Sequence, residues 1–235
     1  MTLDYFYCPP ESIKDSFLVI EGDEFTHLTH VMRKREGEFI RVVDGKGMAY
    51  DAQISSIKKK EATCTVTATY PQFNESPKKI VLCVGLLKNP SRFDFLIEKA
   101  TELGVYEIIP LISSRTIPSH SKVERWQKLA LAAMKQSCRS YLPIVREASK
   151  LEKVIQEFNL FEEKLIFHEK AEKQLSLGQK NIERTIILIG PEGGFSEEEV
   201  EFCIQNGYSS YLLGERRLRT ETAAIAAVSL VMLGG

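Results

Sequence analysis

Apolar and polar positions divide this chain of 235 residues into two patterns. From the start to about residue 72, short runs predict strands around a single helix. "DEFTHLTHVMRK" predicts that helix, with Asp23 as N-cap and Phe25, Leu28, Val31 and Met32 along one apolar side. "EFIRVVDGKGMAYDAQI" predicts two strands joined at Asp44-Gly45, and "ATCTVTATY" alternates as a half-buried strand does. This region reads as a small β-rich, barrel-like unit. "PQFNESPKK", residues 71 to 79, is polar and flanked by prolines, and marks a boundary between domains 1–72 and 73–235. Beyond it, strand and helix patterns alternate. "KIVLCVGLL", "YEIIPLI", "LPIV", "KLIFH", "TIILIG" and "YSSYLLG" predict strands, and "SRFDFLIEKATEL" and "VERWQKLALAAMKQSC" predict helices. Ser91 and Asp94 mark the start of the first of these helices and Gly104 its end. Such alternation implies an α/β domain with a parallel sheet covered on both faces.

Two junctions in the second region carry candidate chemistry. In "TIILIGPEGGFSEEEVEF" a β-branched run breaks at Gly190-Pro191-Glu192-Gly193-Gly194 and a helix begins at Ser196. Ser196 and Glu199 form the S-x-x-E capping pair, and Phe195 and Val200 have the spacing of a hydrophobic staple. The glycines permit a sharp turn or the close approach of a ligand. Glu192 and Glu197 to Glu199 would repel an anion, and no lysine follows the glycines, so phosphate is disfavoured. The corner suits a neutral or cationic ligand, or is only a tight strand-to-helix connection. The second junction is "LLGERRLRTETAAIAAVSLVML". Arg216, Arg217 and Arg219 crowd a loop between Gly214 and an alanine-rich helix apolar almost all round. Those arginines form either a solvated basic turn or a ligand site, and the helix must be buried.

Composition narrows the class. With 43% hydrophobic and 27% charged residues the chain can bury a core, and its formal net charge of −1 confines any nucleic-acid surface to a local patch. Arg33-Lys34-Arg35 and Lys58-Lys59-Lys60 are the basic runs of the first domain. Five scattered cysteines without a C-x-x-C pair point to reduced thiols and a cytoplasmic setting. No signal-peptide pattern is visible at "MTLDYFYCPP", and the longest apolar stretch, Ala223 to Leu233, is short of the ~20 residues that cross a bilayer. His27 and His30 lack a second ligand pair, so no metal is expected.

"LIGPEGGFSEEEV" followed by "LGERRLRTETAA" resembles the SPOUT superfamily of knotted RNA methyltransferases, and within it the RsmE-type 16S rRNA uracil-N3 methyltransferases. "HLTHVMRKREGEFIRVVDG", "EKATELGV" and "KQSCRSYLPIV" extend the likeness over nearly the whole chain. The resemblance implies a PUA-like RNA-binding barrel, an α/β domain with a C-terminal trefoil knot, S-adenosyl-L-methionine as methyl donor, 16S ribosomal RNA of the small subunit as partner, and a homodimer. It implies a donor pocket from Phe167 and His168, from Ile189, Gly190, Pro191, Glu192, Gly193 and Gly194, and from Leu213, Gly214, Leu218, Arg219, Thr220 and Thr222. It assigns RNA contacts to Arg33, Lys34, Arg35, Arg92, Arg115, Arg139, Arg216 and Arg217. Two departures from the family pattern are Arg217, where an aliphatic residue is usual, and Asn89-Pro90-Ser91 before Arg92.

Methylation at uracil N3 requires removal of a proton or stabilisation of charge on the flanking carbonyls. Glu192 and Glu221 are candidate bases and Arg219 a candidate stabiliser; capping by Glu221 and phosphate binding by Arg219 are the alternatives. Rival readings of the whole chain are an RNA-binding assembly factor without activity and a nucleotide-dependent enzyme, the latter disfavoured by the glutamates.

Overall fold

The computed structural model describes residues 3–117, 121–175 and 182–233. The chain separates into two compact units, Met1–Glu75 with Met134–Leu142, and Ser76–Ala133 with Pro143–Gly235.

The first unit contains strands β1 (Tyr5–Tyr7), β2 (Ile13–Lys14), β3 (Phe17–Glu21), β4 (Phe39–Val43), β5 (Met48–Ile57) and β6 (Glu61–Pro71), with helix α1 (Gly22–Thr26) between β3 and β4. They form one six-stranded sheet in the order β1-β4-β5-β6-β3-β2. The Asp44-Gly45 signal does join β4 to β5, through a loop of residues 44–47 in which the Asp44 carboxylate accepts the Lys46 and Met48 N–H groups. Alternate residues point inward, and Phe6, Leu18, Ile20, Phe25, Leu28, Ile40, Val42 and Ile54 build the core.

Two expectations for this helix need correction. Asp23 lies inside its first turn and the N-cap is Glu21, which makes no side-chain cap bond. The helix also widens into a π turn over His27–Val31. That turn shifts the side-chain phase, so Phe25 and Leu28 are buried while Val31 and Met32 are exposed.

Residues 134–142 join this unit through a buried ion pair. The Glu75 carboxylate accepts the Arg139 guanidinium at 2.9 Å and the backbone N–H groups of Ser140 and Tyr141, each at 2.9 Å. Nothing in local sequence pattern signals this return.

The second unit holds β7 (Lys79–Gly85), α2 (Pro90–Glu102), β8 (Glu107–Ile112), α3 (Val123–Gln136), β9 (Ile144–Val145), β10 (Ser149–Lys150), α4 (Leu151–Glu157), β11 (Glu163–Phe167), β12 (Arg184–Ile189), α5 (Glu197–Gln205), β13 (Ser209–Tyr211) and α6 (Thr220–Leu233); the end of α3 from Met134 belongs to the first unit. All its ladders are parallel, in the order β10-β8-β7-β12-β11-β13, with β9 also beside β8. The central strands are buried on both faces, as continuous apolar runs require. Phe93, Leu96, Ile97 and Ala100 put one face of α2 into the core at helical spacing. On the other side, α4 and α5 pack Val154, Ile155 and Cys203 against Val81, Ile109, Ile166 and Leu188.

Asn89-Pro90-Ser91 is the start signal of α2. The Asn89 side chain accepts the Ser91 N–H at 3.0 Å and Pro90 occupies the first turn, where its missing N–H costs nothing. Asn89, rather than Ser91 or Asp94, is therefore the cap. Gly104, at φ +94°, terminates the helix.

Candidate functional site

Four adjacent parallel strands, β7, β12, β11 and β13, end at one edge of the sheet. Ligands of open α/β sheets bind outside such carboxyl ends. The Ser196 hydroxyl accepts the Glu199 N–H while the Glu199 carboxylate accepts the Ser196 N–H at 2.8 Å, completing the capping box of α5. The other Glu199 oxygen accepts the Ser114 N–H at 2.7 Å, so one side chain fixes the helix start to the segment after β8.

The turn after β12 is tight for reasons the sequence only partly signals. A Cβ on Gly190 would lie 2.9 Å from the backbone of Gly194 and Phe195. Gly194 has φ +68°, which only glycine adopts without strain. On β7, a Cβ on Gly85 would stand 2.3 Å from the Pro191 nitrogen, so the turn lies directly on this strand end. A Cβ on Gly193 would meet Arg115 at 3.2 Å. The Glu192 carboxylate accepts the Lys88 N–H at 3.0 Å, tying the turn to the segment after β7.

These segments enclose a cavity of about 690 Å³, a size suited to a cofactor-scale molecule. The predicted pocket residues Phe167, His168, Ile189, Gly190, Pro191, Glu192, Gly193, Gly194, Leu213, Gly214, Leu218, Arg219 and Thr220 all line it, as do Glu221, Arg92, Arg216 and Arg217. Thr222 does not: it is exposed, because the helical turn that buries Thr220, Glu221 and Ala224 carries Thr222 to the opposite side. Glu169, Lys170, Phe195, Leu212 and Ala223, outside the expected loops, also line it; their position beside those loops was the available signal.

Burial lowers the pKa of His168 from its ordinary value, leaving the imidazole neutral near pH 7. Its Nδ1 accepts the Lys170 N–H at 3.3 Å, and its own backbone N–H donates to Tyr211 at 3.0 Å, continuing the β11–β13 pairing. Glu221 is nearly enclosed and faces Arg92, with Oε1 and Nε 3.7 Å apart. Arg219 is exposed at the rim, and its carbonyl accepts the Ala223 N–H at 2.8 Å as α6 begins. The arginines and glutamates give the wall both charge signs, and Phe167, Ile189, Leu213 and Leu218 supply apolar surface.

The predicted RNA contacts separate into distinct environments. Arg139 is 4% exposed and spent on Glu75, so its role is structural. Arg115 is exposed, but one amino group donates to the Gly193 carbonyl at 2.8 Å, which props the turn. Lys34 is engaged by Asp4 at 2.8 Å and by Glu38 at 3.6 Å. Arg33, Arg35 and Lys58 to Lys60 are exposed. The Glu36 carboxylate accepts the Ile57 N–H at 2.7 Å, which brings both basic runs to one end of the β5–β6 hairpin.

Comparison with known proteins agrees with this architecture. The RNA methyltransferase domain family matches residues 74–232, and the RNA methyltransferase PUA domain family matches residues 20–67. The ribosomal RNA small subunit methyltransferase E of Bacillus subtilis is 30% identical over 90% of this chain and 88% of its own length. The crystal structure of a ribosomal RNA small subunit methyltransferase E from Neisseria gonorrhoeae, bound to S-adenosyl methionine, superposes with TM-score 0.89 at 31% identity, covering 99% of this chain and 98% of that one. A methyltransferase from Legionella pneumophila, also with S-adenosylmethionine bound, gives TM-score 0.85 at 29% identity, covering 100% and 99% of the two chains. A match across nearly the full length, in sequence and in fold, makes this chain a member of the RNA methyltransferase family, with a PUA domain ahead of its catalytic-type domain.

Proposed function

We propose that this protein transfers a methyl group from S-adenosyl-L-methionine to N3 of a uridine in small-subunit ribosomal RNA. The observation that carries the reading is the cavity at the sheet's carboxyl edge, built by the three loops that the family motifs occupy. Its residues fit the donor: tight glycine turns admit close approach, the wall is partly apolar, and both signs of charge are present for a molecule with carboxylate, ammonium and sulfonium groups. Gly190 to Gly194, Phe167, Leu213 and Leu218 would hold the donor, which when bound supplies an electrophilic methyl group. The chain's own work is orientation and exclusion of water.

RNA would be held by phosphate contacts from Arg33, Arg35 and Lys58 to Lys60, with Arg216 and Arg217 at the cavity mouth. Among the described residues no helix is long and apolar enough to cross a membrane, and action on ribosomal RNA would be in keeping with a cytoplasmic setting. The family relationship supports a trefoil knot in residues 73–235 and a homodimer. Exposed Phe95 on α2 and Leu233 at the end of α6 are apolar positions such a dimer would cover; light scattering at micromolar concentration should give twice the chain mass.

The deciding experiment incubates the protein with methyl-labelled donor and small ribosomal subunits from cells lacking the gene, followed by mass spectrometry of the nucleosides. Labelled 3-methyluridine is expected. Label on a ribose or on another base would overturn the choice of N3.

A further inference from the structure

Resting on the reading above, the geometry points to Arg92 as a catalytic residue that stabilises the uracil anion during methylation, and to Glu221 as the positioning residue that aims it.

Arg92 is placed firmly. It lies in the first turn of α2, where Pro90 and the Asn89 cap fix the backbone, and its own N–H donates to the Asn89 carbonyl at 3.1 Å. Arg92 and the positive end of the helix dipole act in the same sense there, so together they favour an incoming negative charge beside them. Glu221 projects from the first turn of α6 into the same cavity, with its side chain 10% exposed.

The contact between them is loose. At 3.7 Å it is an ion pair without a hydrogen bond, and among the described residues it is the sole side-chain partner of either group. Among the described residues the other arginine–carboxylate pairs of this unit are closed: Arg125 meets Asp94 at 2.7 Å, and Arg146 meets Glu157 at 2.6 Å and Glu107 at 3.0 Å. Arg92 is therefore oriented by a carboxylate while its N–H donors stay free for a ligand. No other charged group on the wall combines these properties. Glu192 gives one oxygen to the Lys88 N–H, Lys170 pairs with Glu197, and Glu169, Glu215, Arg216, Arg217 and Arg219 are exposed. This moves the stabilising role from Arg219 to Arg92, and removes Glu221 as the base.

The N3–H bond breaks and its proton passes to bulk water at the cavity mouth, before uracil and donor together close the site to solvent. The electron pair left on N3 spreads onto the adjacent carbonyl oxygens, one of which accepts an Arg92 N–H. N3 then uses the pair to bond the methyl carbon of the donor as the carbon–sulfur bond breaks, its electron pair stays on sulfur and S-adenosylhomocysteine leaves. A guanidinium at that oxygen favours the anion, so it lowers the apparent pKa at which N3 becomes reactive.

The test is a double-mutant cycle with Arg92→Gln, Glu221→Gln and the pair, measured by 3-methyluridine formation on small subunits. S-adenosylhomocysteine affinity by calorimetry reports whether each variant keeps an intact pocket. Arg92→Gln should lower kcat about 10²- to 10³-fold, with KM for the subunit and S-adenosylhomocysteine affinity nearly unchanged. The rising limb of kcat against pH should move to higher pH in both single variants. Arg92→Lys, which keeps the charge, should recover part of the rate. The double variant should be no slower than Arg92→Gln, because Glu221 acts through Arg92. Additive losses would make Glu221 an independent base, and wild-type turnover in Arg92→Gln would remove Arg92 from the chemistry; either result overturns the inference. A loss of S-adenosylhomocysteine affinity matching the loss of rate would also overturn it, by placing the pair in the donor site. If the wild type itself forms no 3-methyluridine, the functional reading fails first and takes this inference with it.

Discussion

The two units handle polar groups in opposite ways. In the first, strands alternate more and less buried residues, as β6 does along its length, and exposed charge sits at hairpin tips such as Lys58 to Lys60. In the second, β7 and β12 are buried on both faces, so chemistry is confined to the loops at the strand ends. One construction yields a broad surface able to track phosphates, the other an enclosed cavity. On the proposed function, recognition and reaction fall to different units, and each should be open to disturbance without the other.

The largest effect should come from the buried ion pair of the first unit. Glu75→Ala removes the buried carboxylate that the Arg139 guanidinium and the Ser140 and Tyr141 N–H groups share. It should cost about 3–5 kcal/mol of stability, read as a lower urea midpoint. Gly85→Val follows, at about 3 kcal/mol, because its Cβ would press on the Pro191 backbone; the loss should appear in the probes of the second unit, such as Trp126 fluorescence. Gly194→Val forces a β-branched residue to φ +68°, costing about 1–3 kcal/mol and at least tenfold in S-adenosylhomocysteine affinity, roughly 1.4 kcal/mol, by calorimetry.

Replacing Arg33, Arg35, Lys58, Lys59 and Lys60 with Gln should sharpen the comparison without touching stability. RNA binding should weaken and its salt slope flatten, while S-adenosylhomocysteine affinity stays at the wild-type value. Unchanged RNA binding across a salt titration would move the anchor to Arg216 and Arg217. The smallest effect concerns pH. Because burial lowers the folded-state pKa of His168 below its ordinary 6.5, the unfolded chain binds the proton more readily. The resulting stabilisation is complete above pH 6.5 and fades as pH falls through the lower folded value. His168→Gln should therefore lose less stability than the wild type between pH 7.5 and pH 5, by urea unfolding.

The parts of this design that are legible in the sequence are local. Ser196 and Glu199 announce a capping box that forms as written, and the apolar runs of β7, β8, β11 and β12 mark a parallel sheet. Three chain-distant segments also carry motifs dense enough to point to a single pocket, and every residue named from them except Thr222 lies on the wall of one cavity. What escapes the sequence is interaction at a distance. Glu75, in a stretch that reads as linker, anchors residues 139–141; Gly85, unremarkable in an apolar run, lies under Pro191; and Arg92 meets Glu221 from far along the chain. No periodicity encodes such pairs, since each depends on where the sheet brings two loops together. The π turn at His27–Val31 is a different kind of miss: the apolar spacing suits a regular helix, and the turn shifts its phase.

The claim that the second unit alone holds the methyl donor is tested most directly by amide hydrogen exchange with and without S-adenosylhomocysteine. Protection should rise in residues 167–170, 190–195 and 212–220 and remain unchanged in residues 33–60. Protection centred on residues 33–60, or none in the three loops under saturating ligand, would contradict the account.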